Sequence, residues 1–292
     1  MSDFPTKDMY TRNLYISEFR TKNCIRELIY EKSIKKKVPN MKRDLQQAII
    51  MNMDNIYLQE RFYEDTPHDW IDCADLQGTN CYCDAVAKEQ LAMRMKEYSP
   101  HGIHFIDSGN YHYLSKLWTD KIKEPFVLVV FDYHTDMQSS MFDELLSCGS
   151  WVQAVMNHNP YLKKVFLIGV SEKLKEQIDP IYQDMVICFD EDHLKKPERW
   201  SIYEEHFLEY PIYISIDKDV LNQETVTTNW DQGTMSLDEL EYFLDYLQTL
   251  HNVVGVDICG ESAETANILL EEEKIKQNDH VNKELLHLLE HK

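Results

Sequence analysis

Glycine is scarce in this chain, eight residues in 292, and no stretch is rich in proline, glycine or serine. Without a linker, an internal repeat or a low-complexity tract, a single domain over 1–292 is the simplest organisation. No apolar run reaches 18 residues, so no membrane-spanning helix is expected. The opening "MSDFPTKDMYTRNLY" lacks the charged-then-apolar order of a signal peptide, which makes the cytoplasm the expected location. Basic residues are also short: 30 against 51 acidic ones, a net charge of -21. Such a surface repels phosphate backbones and anionic membranes and favours cations, so neither nucleic acid nor membrane is an expected partner. The one basic run, "KSIKKKVPNMKR" (32–43), reads as a solvated face. Seven cysteines, an odd number, are scattered through a chain too large to need disulfide staples. Only Cys81 and Cys83 lie close together, and no second pair completes a zinc finger. All seven read as ordinary thiols, mostly small buried side chains.

What the chain does have is alternation. Apolar, β-rich runs occur at 13–19, 102–108, 126–132, 164–170, 185–190, 211–217 and 252–258. Several are continuously apolar, as strands covered on both faces must be. Helical patterns fall between them at 84–98, 143–158 and 236–251, the last opened by a Ser-x-x-Glu capping box at Ser236 and Glu239. A largely parallel sheet with helices on both faces follows. Residues 20–75 read poorly, and from 261 onward an acidic helical tail is expected outside the sheet.

Three strands end in polar clusters. "FVLVVFDYHTD" leads to Asp132, His134 and Asp136; "ISIDKD" ends in Asp217 and Asp219; "GIHFIDS" runs on to His112. In open parallel sheets ligands collect at the carboxyl ends of strands. So many carboxylates held together cost several kcal/mol unless cations compensate them. Four Asp and two His form an oxygen-rich set suited to Mn²⁺ and similar ions. Fully extended, Asp132 to Asp136 would span about 13 Å, so the segment must curl to bring all three side chains to one centre. Gly109, Gly149 and Gly260 stand in the loops around it. Tyr111, Tyr113, Tyr133, Trp151 and Trp230 crowd the same loops and could wall a pocket for an organic cation.

At these residues the chain resembles the arginases, agmatinases and related ureohydrolases. "FDYHTD" is similar to their D-x-H-x-D, "SIDKDVLN" to their S-x-D-x-D-x-x-D-P, and "SGNYHYLS" sits where they carry G-G-D-H-S. The resemblance covers roughly residues 100–260, with "DQGTMSLDEL" also similar; the first 90 residues do not align. It implies a three-layer α/β/α fold on a mostly parallel sheet of about eight strands. It also implies two Mn²⁺ per chain. One ion would take His112, Asp132, Asp136 and Asp217, the other Asp132, His134, Asp217 and Asp219, with Asp132 and Asp217 shared. The implied activity is hydrolysis of a C–N bond in a small cationic guanidino compound by a metal-bridging hydroxide, with Asp136 carrying the proton. Ureohydrolases commonly assemble as trimers or hexamers, so a homo-oligomer is within the implied range.

The departures bear on substrate. The family's guanidinium-gripping glutamate falls at Gly260 here, and Glu261 stands one residue later as the candidate replacement. No histidine lies 13 to 15 residues past the first motif, where "SCGSWV" places Trp151 as a candidate substrate contact. Asn222 and Gln223 replace the closing Asp and Pro of the second motif. A metal-dependent amidohydrolase or deacetylase, or a catalytically silent metal-binding protein, stand as the alternatives.

Overall fold

A computed structural model of the chain describes residues 45, 47–139, 145–190, 210–262 and 268–290. They belong to a compact unit running from Lys42 to Lys292. The strand expected at 13–19 and the basic run at 32–43 lie outside the described residues.

Eight parallel strands form one sheet in the order β2-β1-β4-β10-β9-β5-β7-β8. They are β1 (Ala48–Asn52), β2 (His68–Asp72), β4 (Ile103–Phe105), β5 (Phe126–Phe131), β7 (Leu162–Val170), β8 (Val186–Asp190), β9 (Ile212–Asp217) and β10 (Val253–Cys259). A two-residue ribbon pairs β3 (Tyr82–Cys83) with β6 (Leu146–Ser147). The helices are α1 (Ala85–Arg94), α2 (Leu114–Thr119), α3 (Trp151–His158), α4 (Glu172–Lys175), α5 (Leu237–Leu250) and α6 (Ile268–Glu290).

β5 shows how the layers arise. All six of its residues are buried, and successive side chains alternate between the two faces of the sheet. Val127, Val129 and Phe131 pack in one core with Leu240, Leu244 and Leu247 of α5 and Val281, Leu285 and Leu289 of α6. Phe126, Leu128 and Val130 pack in the other with Leu91 of α1, Trp118 of α2 and Trp151 and Val155 of α3. The result is the expected α/β/α sandwich. The capping box at α5 is formed: Glu239 N donates to Ser236 Oγ at 3.3 Å, and Ser236 N donates to Glu239 Oε2 at 2.9 Å.

Three elements differ from the sequence reading. β1 and β2 lie in the stretch that read poorly; β2 is an edge strand, carries "HDWID", and has no continuous apolar run to announce it. The helix expected from 143 begins only at Trp151, because Leu146–Ser147 pair with β3 and Cys148–Ser150 form a tighter turn. The helical tail lays an apolar stripe into the core as α6.

β4, β10, β9 and β5 are contiguous at the middle of the sheet. Their carboxyl ends therefore open side by side; β4, β9 and β5 each lead into one of the polar clusters, and β10 lies between β4 and β9.

Candidate metal centre

The chain leaving β5 does curl. Asp136 adopts φ 50°, a left-handed conformation rarely held by a non-glycine residue and retained only where its surroundings over-determine it. Two bonds hold the turn: Val152 N donates to Asp136 O at 3.1 Å, and Trp151 Nε1 donates to Asp136 Oδ2 at 2.6 Å. Asp132, at the strand end, accepts from His134 N at 2.5 Å. Leaving β9, Asp217 accepts from Asp219 N at 3.0 Å, and Asp219 in turn accepts from Tyr133 N at 3.0 Å, tying the two motifs together. His112 arrives from the turn after β4, one residue beyond Gly109–Tyr111.

The six sequence-derived ligand positions converge. His112, Asp132 and Asp136 form one group of possible ligands, and Asp132, His134 and Asp219 form a second, with Asp132 in both. Asp217 joins through His112 in a third group that also includes Cys259. His112 Nδ1 lies 3.0 Å from Asp136 Oδ2, 3.3 Å from Asp132 Oδ2 and 3.5 Å from Asp217 Oδ2. His134 Nδ1 lies 2.8 Å from Asp219 Oδ2 and 3.4 Å from Asp132 Oδ1.

Two atoms in this cluster test whether a cation fits. His112 Nδ1 and Asp132 Oδ2 are buried and lack a hydrogen-bond partner, despite the carboxylates close to Nδ1. Buried polar atoms without partners are rare and unfavourable. His112 Nε2 is engaged with Ser215 Oγ at 2.9 Å, and Ser115 Oγ supports that serine at 3.0 Å, which orients the ring with Nδ1 toward the carboxylates. A buried nitrogen and a buried oxygen 3.3 Å apart, neither hydrogen-bonded, fit a divalent ion bound by both.

The electrostatics of the chain alone say the same. Burial, then the neighbouring carboxylates, pushes Asp217 and Asp219 up to about 7. Burial opposes charge on His134, but hydrogen bonds to Asp132 and Asp219 outweigh it and raise that imidazole to about 12. His112 is likewise raised against its burial, through Cys259, Asp132 and Asp136. The cluster thus favours bound positive charge.

The two candidate substrate residues are placed as follows. Trp151 is fully buried, with its ring centroid 4.8 Å from that of His112 and its N–H spent on Asp136. Glu261 is also fully buried, and its carboxylate pairs with Lys218 Nζ, which further donates to Asn278 Oδ1 at 2.6 Å and Asn282 Oδ1 at 2.9 Å. Asn282 bridges Glu261 and Glu60, donating to each at 2.8 Å. Of the five loop aromatics, Tyr111 and Tyr113 are buried with Trp151. Trp230 is 41% exposed, lies 6.0 Å from His134 between ring centroids, and donates to Asn110 Oδ1 at 3.1 Å.

Sequence reasoning missed Lys218, Ser215 and Cys259. Strand alternation could have found the last two: Ser215 stands two residues before Asp217 on the same face, and Cys259 is its cross-strand partner. Gly260 explains why the family glutamate has no room. At φ +99°, a Cβ there would meet Asp217 Oδ1 at 2.6 Å and Lys218 N at 2.7 Å.

Comparisons with known proteins agree with this fold. The arginase from Bacillus subtilis superposes with a TM-score of 0.61 at 14% identity, over 86% of this chain and 99% of its own. The formimidoylglutamase from the same organism gives 0.60 at 14%, over 85% and 87%. A hypothetical agmatinase from Burkholderia thailandensis gives 0.58 at 14%, over 86% and 87%. Identities this low speak to fold. A protein of Thermotoga maritima described as uncharacterized is 34% identical over 188 residues, 64% of this chain and 68% of its own length. The model of the Arginase family matches residues 47–265, well over half the chain and the whole span from His112 to Cys259, and on that match this chain belongs to the arginase family.

Proposed function

We propose that this chain is a binuclear, manganese-dependent hydrolase that cleaves a C–N bond of a small cationic guanidino or amidine compound. The observation that carries the reading is the convergence of six ligand positions around two buried, partnerless atoms, His112 Nδ1 and Asp132 Oδ2, with Asp132 common to both ligand groups. Two divalent ions, when bound, supply Lewis acidity and a water activated at neutral pH. His112, Asp132, Asp136 and Asp217 would hold one, and Asp132, His134, Asp217 and Asp219 the other.

The chain's own residues do the rest. Trp151 and the left-handed turn fix Asp136, whose carboxylate moves one proton of the attacking water to the leaving nitrogen. The C–O bond forms first, making the carbon tetrahedral; once the leaving nitrogen holds that proton the C–N bond breaks, and the nitrogen departs as an amine. Trp230, exposed beside His134, offers a π-face to a cationic substrate at the mouth. A net charge of -21 draws such a substrate in. The six described cysteines are all free, which supports a reducing, cytoplasmic setting.

A second reading rests on Glu261. With its carboxylate taken by Lys218, nothing at that position is left to grip a guanidinium, which favours an uncharged amide as substrate. Reconstitution with Mn²⁺ and metal counting, followed by urea release from a guanidino panel and ammonia or acetate release from amides, separates the two. Two bound ions without any turnover would leave a silent metal-binding protein.

A further inference from the structure

We propose that Cys259 is a further ligand of this centre, a thiolate binding the ion held by His112 and Asp217. The inference rests on the metal-centre reading above and changes its chemistry from an all-oxygen and nitrogen set to a mixed one.

Cys259 ends β10 and is the register partner of Asp217, which ends β9. Paired residues on adjacent strands project to the same face, so thiol and carboxylate emerge together at the edge where the ligands gather. Cys259 Sγ lies 3.2 Å from Asp217 Oδ2, and His112 Nδ1 lies 3.5 Å from the same oxygen. The ligand atoms of these three residues all fall within 4.8 Å of one another. An ion with bonds of about 2.1 Å to O or N and about 2.3 Å to S, at tetrahedral or octahedral angles, keeps its ligands roughly 3.0 to 3.6 Å apart. Both measured pairs are in that range.

His112 supplies the independent observation. Its Nδ1 is buried and partnerless, and faces the space these atoms surround. Gly260 makes the approach possible, since any side chain there would collide with Asp217 Oδ1 and the Lys218 amide and push the end of β10 away. The residue that removes the family's glutamate is thus also the one that seats the thiol against Asp217.

On binding, the S–H bond would break heterolytically and its proton would leave to solvent, with no change of oxidation state. Thiolate donors shift preference from Mn²⁺ toward Zn²⁺, Co²⁺ and Fe²⁺. The rival explanation is a thiol that only donates a hydrogen bond to Asp217. A serine hydroxyl would reproduce that bond but not the ligation.

The experiment uses the full chain, metal-stripped and reconstituted with Co²⁺, with bound cobalt counted on the samples used for spectroscopy. The wild-type protein is expected to show a near-ultraviolet thiolate-to-cobalt charge-transfer band. Cys259→Ser should lose that band while binding cobalt at the His134 side. Its Zn²⁺ over Mn²⁺ preference in competition should fall by about tenfold or more. Cys259→Ala, with circular dichroism as a folding control, should behave alike. Cobalt-loaded wild type without the band, or a band that persists in Cys259→Ser, would overturn the thiolate ligand and leave the metal centre standing. No bound cobalt or manganese in the wild type would overturn both.

Discussion

Removing Lys218 tests what Glu261 is for. Lys218 Nζ is buried against Glu261, Asn278 and Asn282, and Glu60 lies on the far side of Asn282. Burial, then the Glu261 carboxylate, holds Glu60 well above the usual carboxylate range, so the cluster's stability depends on the single ammonium. Lys218→Met leaves a buried carboxylate uncompensated, at a cost of roughly 3 to 5 kcal/mol. At about 2 to 4 °C per kcal/mol for a domain of this size, the melting temperature should fall by roughly 6 to 20 °C. Glu261→Gln strands the ammonium instead and should destabilise by a similar amount. The double variant replaces the ion pair by a neutral one and should recover most of the loss, giving a coupling energy of at least about 1 kcal/mol. The assay is thermal and chemical denaturation of all four proteins with and without Mn²⁺. If Glu261 instead grips a substrate guanidinium, Glu261→Gln would lower kcat/KM about a hundredfold or more at unchanged melting temperature, and Lys218→Met would be mild. That result would refute the structural role argued here.

Asp132→Ala should disrupt binding of both ions, since Asp132 is shared between the His112 and His134 ligand groups, whereas His112→Ala and His134→Ala should each weaken one; competitive metal titration checks the partition. Trp151→Phe keeps the ring over His112 and deletes the N–H to Asp136, a hydrogen bond to a charged group worth about 1.5 to 3 kcal/mol. Metal content should be unchanged, and kcat should fall about ten- to hundredfold with KM little altered. In the metal-free chain, burial raises Asp217 and Asp219 to about 7, and hydrogen bonds to Asp132 and Asp219 raise His134 to about 12 against its burial. A group whose folded value is raised contributes stability below its unfolded value and loses it as pH rises. The carboxylates therefore act between about pH 4 and 7 and the imidazole above about 6.5, both in the same direction. The melting temperature of the EDTA-treated protein should fall from pH 5.5 to 8, while stabilisation by Mn²⁺ should grow, because metal displaces these protons. A metal-free melting temperature that rises over that window would contradict the assignment.

Most core strands and the ligand positions were legible from one dimension because both obey short-range rules; β1, in the stretch that read poorly, was not. "FVLVVF" and "IYISID" can only be strands covered on two faces, and charge placed immediately beyond such strands must collect at one sheet edge. The edge strand β2 was not legible, since a strand covered on one side and half polar carries no apolar run. Nor was the roster of partners. That Glu261 meets Lys218, that Trp151 serves Asp136, and that Cys259 faces Asp217 depend on which strands neighbour which and in what register. Residues 217 and 259 are 42 positions apart, and the order β10-β9-β5 that joins them is set by long-range packing of helices on both faces. The sequence by itself determined the layers and the chemistry at the strand ends; the tertiary structure alone decided which of those side chains gather into one cluster and which are neutralised in the core.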